Sequence, residues 1–140
     1  MTDRGQYILD TCAAIWISEG SYLEPEAIAA IDHATLAGDG VLLSPITAWE
    51  RALLMAKGKV TSPMSAIDWF EGFAGRPEIK LAPLSPKILT DAWFLPEPLH
   101  RDPADRILVA TARALRVTII TRDSAILAYA ARGHVRALRC

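Results

Sequence analysis

Apolar residues fall in two rhythms along this chain. Short continuous runs occur at Tyr7-Ile8-Leu9, Val41-Leu42-Leu43, Ile79 to Leu81, Val117-Thr118-Ile119-Ile120 and Val135 to Leu138. Their length and β-branched content predict buried strands. Between them lie stretches that read as helices: Thr11 to Ser18, Pro25 to Ala37, a segment opened by Ser44-Pro45 and running to Lys57-Gly58, and Asp102-Pro103 to Leu115. Three more are predicted from Ser62-Pro63 to Gly75, from Ser85-Pro86 onward, and from Asp123 to Arg132. Proline sits near helix starts because the first turn needs no N–H there, and Gly38 stops a helix because it turns left-handed without strain. Pro96 and Pro98 mark a loop. Strands alternating with helices predict an α/β fold of three layers, with a mainly parallel sheet between two layers of helices.

The length of 140 residues suits a single domain over 1–140. The hydrophobic share of 51% and charged share of 22% are those of a globular chain. A domain of this size buries roughly two-thirds of its unfolded surface, so it needs no disulfide or structural metal to fold. The net charge of −1 argues against holding nucleic acid by bulk charge. Cys12 and Cys140 form no CxxC pair and His33, His100 and His134 are scattered, so no zinc site is expected. Met1 to Gln6 leads into only a short apolar run, and no stretch of about 20 apolar residues follows, which predicts a cytoplasmic protein with no membrane contact.

Ligands of an open parallel sheet bind beyond the carboxyl ends of its strands. Asp10 closes the first run, Asp123 follows Ile120 after two intervening residues, and Glu50 lies about two helical turns beyond Leu43. Asp102 and Asp105 open the helix before the Val117 run. Carboxylates gathered at one rim repel one another, and a hard divalent cation such as Mg²⁺ or Mn²⁺ relieves the repulsion. Each acid also has an ordinary role open to it. Asp102 before Pro103 suits an N-cap with Asp105 at N3, Asp10 and Asp123 suit caps of the helices that follow them, and Glu50 suits a solvated helix surface. Among the cations, Lys57 and Lys59 read as surface charge, while Arg101, Arg106 and Arg122 flank the acids. Arg106 could pair with a carboxylate or hold a phosphate by its fork. Trp16, Trp49, Trp69 and Trp93 sit in apolar patterns that suit core and interface. Cys12 reads as a packed small residue, since no histidine is placed to activate it.

Four segments also match a family. Tyr7-Ile8-Leu9-Asp10-Thr11 resembles the hydrophobic-Asp-Thr opening of PIN domains. Ser44-Pro45-Ile46-Thr47-Ala48-Trp49-Glu50 is similar to the Ser…Trp-Glu segment, and Ile120-Thr121-Arg122-Asp123 to the closing Thr-x-Asp motif. His100-Arg101-Asp102-Pro103-Ala104-Asp105-Arg106, the most specific of the four, resembles the His-x-Asp-Pro-x-Asp-Arg helix start of VapC-type toxins. Cys12 departs from the histidine many relatives carry there. The resemblance covers nearly the whole chain. It implies a PIN-like fold and a metal site of Asp10, Glu50, Asp105 and Asp123, with Thr11, Ser44, Asp102, Arg106 and Thr121 in support. It further implies a Mg²⁺- or Mn²⁺-dependent endoribonuclease that hydrolyses RNA, acting as the toxin of a toxin–antitoxin pair. A homodimer restrained by a VapB-like antitoxin would follow; the apolar helices around Ala27 to Ile31 and Ile67 to Phe73 could supply such surfaces, although core packing is the commoner explanation of their pattern. Alternatives within the family are an RNA-processing nuclease and a non-catalytic binding scaffold; the presence of all four acids disfavours the scaffold. A haloacid-dehalogenase-type phosphatase needs Asp-x-Asp where Asp10-Thr11-Cys12 stands. A phospho-receiver needs an acidic pair at the first strand, and a dinucleotide site needs GxGxxG; the chain has neither.

Overall fold

The computed structural model describes residues 6–140, so the N-terminal reading made above for Met1 to Gly5 lies outside the described residues. Twelve elements follow in order: β1 (Tyr7–Leu9), α1 (Thr11–Ser18), α2 (Pro25–Leu36), β2 (Val41–Leu43), α3 (Ile46–Ala56), α4 (Ala66–Ala74), β3 (Ile79–Leu81), α5 (Pro86–Asp91), α6 (Pro103–Leu115), β4 (Thr118–Thr121), α7 (Ser124–Ala131) and β5 (Arg136–Arg139). The strands form one sheet in the order β3-β2-β1-β4-β5, parallel throughout. The α/β expectation is met, and each strand lies within a residue or so of its expected place.

Period-two alternation divides the apolar side chains between two faces. Ile8 and its register partner Ile119 enter a core with Leu108 and Val109 of α6 and Ile126 and Tyr129 of α7. Leu9 and Ile120, the next pair, enter the opposite core with Ala13 and Ala14 of α1, Ala27 and Ala34 of α2, and Trp69, Phe70 and Phe73 of α4. Each fully buried Leu or Ile contributes roughly 1.5–3 kcal/mol of transfer free energy. A one-residue slip of β1 would exchange the two sets, so both cores together pin its register.

The chain runs outward from β1 through β2 to β3, then returns to the other side of β1 with β4 and β5. The order therefore reverses between β1 and β4, and a crevice opens beyond their carboxyl ends. Several boundaries differ from the sequence pattern, two of them for a visible reason. The helix expected from Ser62-Pro63 starts at Ala66, because Ser65 caps it by accepting from the Asp68 N–H at 3.1 Å. Ser62 instead accepts from the Met64 N–H and closes a turn. The strand expected from Val117 begins at Thr118, because the Val117 N–H donates back to Ala112 at the helix exit. No described helix is long and apolar enough to cross a membrane.

Candidate metal centre

Three helices point their N-termini into the crevice, and each begins on an aspartate. Asp10 caps α1, accepting the Ala13 N–H on Oδ1 at 2.7 Å. Asp102 caps α6 by accepting the Asp105 N–H at 3.1 Å, and Asp123 caps α7 by accepting the Ile126 N–H at 2.9 Å. The ordinary role of each aspartate is therefore real, and it does not exclude a second one. A cap engages one side of a carboxylate, and the positive ends of three helix dipoles lower the cost of gathering negative charge. Asp105 stands at N3 of α6, and Glu50 reaches in from the second turn of α3.

Asp105 is the centre of this group. Its carboxylate lies within 4.8 Å of ligand atoms of Glu50 and Asp102 on one side and of His100 and Asp123 on the other. Asp10 lines the same hollow, of about 380 Å³, with Thr11, Cys12, Glu50, Asp102, Asp105 and Asp123. Both Asp10 oxygens are already engaged, Oδ2 by the Thr121 hydroxyl at 2.5 Å and Oδ1 by the helix. Thr121 Oγ1 also accepts the Asp123 N–H at 2.9 Å, so one buried hydroxyl ties the ends of β1 and β4 together.

Burial dominates the acid–base behaviour. Desolvation, reinforced by the charges of Asp102, Asp123, Glu50 and Asp10, raises the Asp105 carboxyl to about 8. Desolvation raises Asp10 to about 6 although the bonds from Thr121 and Ala13 oppose it, and Glu50 is raised as well, with the Thr11 hydroxyl opposing. A divalent cation would offset both the burial and the mutual repulsion that hold these carboxyls above their ordinary range. The donor set of carboxylate oxygens suits a hard divalent ion. Cys12 is exposed at the mouth of the hollow rather than packed as its sequence suggested, and desolvation followed by the surrounding acids raises its thiol to about 11, which disfavours a thiolate nucleophile.

The four acids expected at the metal site converge, with Thr11 and Thr121 in supporting positions. Asp102 is both a helix cap and a member of the cluster. Two other expectations need correcting. Ser44 is fully buried and accepts from the Ile46 N–H at 3.1 Å; it shapes the start of α3 and does not line the hollow. Arg106 is also fully buried. Its guanidinium donates to the carbonyls of Ala92, Leu99 and His100 and meets Glu97 at 3.4 Å. Of its two expected roles the carboxylate pairing is found, but its carboxylate is Glu97, outside the acidic cluster, and no phosphate can reach the fork. Arg122 does line the hollow, pinned over the Trp16 ring at 3.9 Å and to the Tyr22 and Cys140 carbonyls. Of the tryptophans, Trp69 is buried whereas Trp49 and Trp93 are about half exposed.

One residue escaped the sequence reading. His100 Nε2 lies 3.3 Å from Asp105 Oδ2 and 3.8 Å from Asp123 Oδ2. The three histidines look scattered along the chain, and only folding brings one of them to the acids. It heads the His-x-Asp-Pro-x-Asp-Arg segment quoted above, where no role was assigned to it.

Residues 7–132 match the model of the PIN domain. A similar curated protein is Ribonuclease VapC22 of Mycobacterium tuberculosis, 28% identical over 117 residues that span 83% of this chain and 85% of the relative. Among solved structures the fold is similar to VapBC2 from Rickettsia felis bound to a DNA fragment from its promoter, with a TM-score of 0.64, 13% identity and coverage of 95% of this chain and 97% of that one. It is also similar to FitAcB from Neisseria gonorrhoeae, with a TM-score of 0.57, 21% identity and coverage of 95% and 96%. With five parallel strands, an acidic crevice at the reversal of strand order, and a family match over almost the whole chain, this protein belongs to the PIN-domain family.

Proposed function

We propose that this protein is a Mg²⁺- or Mn²⁺-dependent endoribonuclease, a single-domain toxin that acts in the cytoplasm and is restrained by a VapB-like antitoxin. The observation that carries the reading is the convergence of Asp10, Glu50, Asp105 and Asp123 on one hollow, with Asp105 central. The antitoxin is suggested by the toxin–antitoxin complexes among the similar structures, and the homodimer by the family resemblance together with exposed Trp49, Leu53 and Ile67 on α3 and α4.

Asp105, Glu50, Asp123 and Asp10 would hold the ion, with Asp102 and His100 at its margin. A bound divalent ion supplies positive charge that lowers the pKa of an attacking water and steadies the leaving oxygen. The chain's own residues do the rest. Asp105, at the centre of the cluster, would hold the ion as a carboxylate and would have to be deprotonated to do so. Thr121 keeps Asp10 turned toward the hollow. The N-termini of α1, α6 and α7 present a positive field to the scissile phosphate, which would otherwise be repelled by the acids.

Two substitutions test the assignment. Asp105→Asn keeps shape and removes charge, and is expected to lower RNA cleavage at least about 10–100-fold, the scale of perturbations at metal sites. Asp102→Asn keeps the cap, since Asn caps as well as Asp. It should retain most activity if Asp102 is mainly a cap, as the Asp105 N–H bond indicates. Equal cleavage by Asp105→Asn and wild type would remove the reading.

A further inference from the structure

A second hollow, of about 470 Å³, lies at the opposite end of the sheet from the acids, between the end of α6, the end of α7 and the start of β5. Arg113, Arg116 and Arg136 line it together with His134, and no carboxylate does so among the described residues. In a chain with net charge −1 this is a local concentration of one sign. Cations near a helix C-terminus complement its dipole, which accounts for Arg113 in the last turn of α6. It does not account for Arg136, which comes from β5, nor for the conformation of Arg116.

Arg116 ends α6 in the left-handed region, at φ 58° and ψ 46°, and is the one non-glycine residue with positive φ among the described residues. Glycine is the usual occupant of that position because a Cβ is disfavoured there. The strain is held in place: the Arg136 guanidinium donates to the Arg116 carbonyl, and Arg113 donates to the His134 carbonyl. Among the described residues no hydrogen bond or ion pair engages the Arg116 guanidinium, and the side chain is exposed. A strained backbone that keeps a bulky cation at the rim of a basic hollow points to a ligand for that cation.

We propose that this hollow binds phosphate groups of an RNA strand, as an anchor remote from the acidic centre. The guanidinium fork suits phosphate oxygens, and phosphate contacts position a strand without reading its sequence. Asp105 lies in the first turn of α6 and Arg116 at its end, so roughly 16 Å of helix separates the two sites. A strand of about 12 nucleotides is long enough to engage both. The proposal rests on reading the acidic centre as a ribonuclease site, and it would explain how a protein without net positive charge retains a polyanion.

Arg116→Gly is the informative variant, because glycine relieves the left-handed strain while removing the charge. Its melting temperature should equal or exceed that of wild type. Anisotropy of a labelled single-stranded RNA of about 12 nucleotides is followed in EDTA, which stops cleavage, across a salt series. Arg116→Gly and Arg113→Ala should each weaken binding about fivefold to tenfold and reduce the salt slope by about 1, and Arg116→Lys should restore part of the affinity. Unchanged affinity and slope in both variants would overturn the proposal. Calorimetric titration with inorganic pyrophosphate separates the sources of the phosphate. Loss of pyrophosphate binding with RNA affinity unaltered would also overturn it, in favour of a free phosphorylated ligand. Absence of RNA cleavage by wild type in Mg²⁺, with RNA binding still weakened by Arg116→Gly, would defeat the ribonuclease reading and leave the anion site standing.

Discussion

Without metal, the charge on Asp105 works against the fold, and removing it should stabilise the protein in alkaline solution. The group is held at about 8 against an ordinary value of 3.8, chiefly by desolvation. Its folded form binds the proton more tightly than its unfolded form. The stabilisation it provides is therefore complete below about 4 and lost as pH rises toward 8. The whole shift, at 1.36 kcal/mol per unit, would set an upper bound of about 5–6 kcal/mol. The side chain is still 21% exposed. Water and salt screen it, so about 2 kcal/mol is the reasonable expectation. For a domain of this size 1 kcal/mol moves the midpoint by about 3–5 °C. The window from pH 5 to pH 8 covers about two-thirds of that loss, so thermal melts in EDTA should show wild type falling about 4–6 °C further than Asp105→Asn. Mg²⁺ should restore the wild type at pH 8, because a ligand of the folded state stabilises by mass action, and should do much less for the variant. Parallel melting curves for the two proteins across that pH range would refute the claim that Asp105 is a desolvated, charge-crowded group.

Metal binding near pH 7 should release about one proton per site, as Asp105 ionises to become a ligand, and calorimetry in buffers of different ionisation enthalpy measures it. Arg106→Ala should destabilise by about 3 kcal/mol, since it leaves the buried carbonyls of Ala92 and Leu99 and the half-buried one of His100 without their donor, and Arg106→Lys should rescue little because a single ammonium cannot span them; denaturant unfolding reads the loss. Light scattering at tens of micromolar should show a dimer, whose interface would bury more than roughly 1,000 Å².

Much of this protein was legible in the order of its residues. The alternation of short apolar runs with amphipathic stretches is a local property, set by the two-residue period of strands and the 3.6-residue period of helices, and it located every strand and most helix starts. The acids at strand ends were readable for the same reason, because a parallel sheet presents its ligands at one rim. What lay beyond reach depended on distances between elements far apart in the chain. Asp102 is three residues from Asp105 in sequence, and its double role as cap and cluster member appears only when Glu50 of α3 is brought against it. His100 meets Asp105 and Asp123, the latter 23 positions away in the chain, only once α6, β4 and the start of α7 are packed together. Arg106 stands beside the acidic motif yet turns into the protein, where the carbonyls of Ala92, Leu99 and His100 accept its N–H groups. The raised pKa of Asp105 and the basic hollow around Arg116 are likewise products of burial and juxtaposition. Periodicity is written residue by residue, whereas desolvation and charge crowding come into being only when the sheet closes and its helices converge.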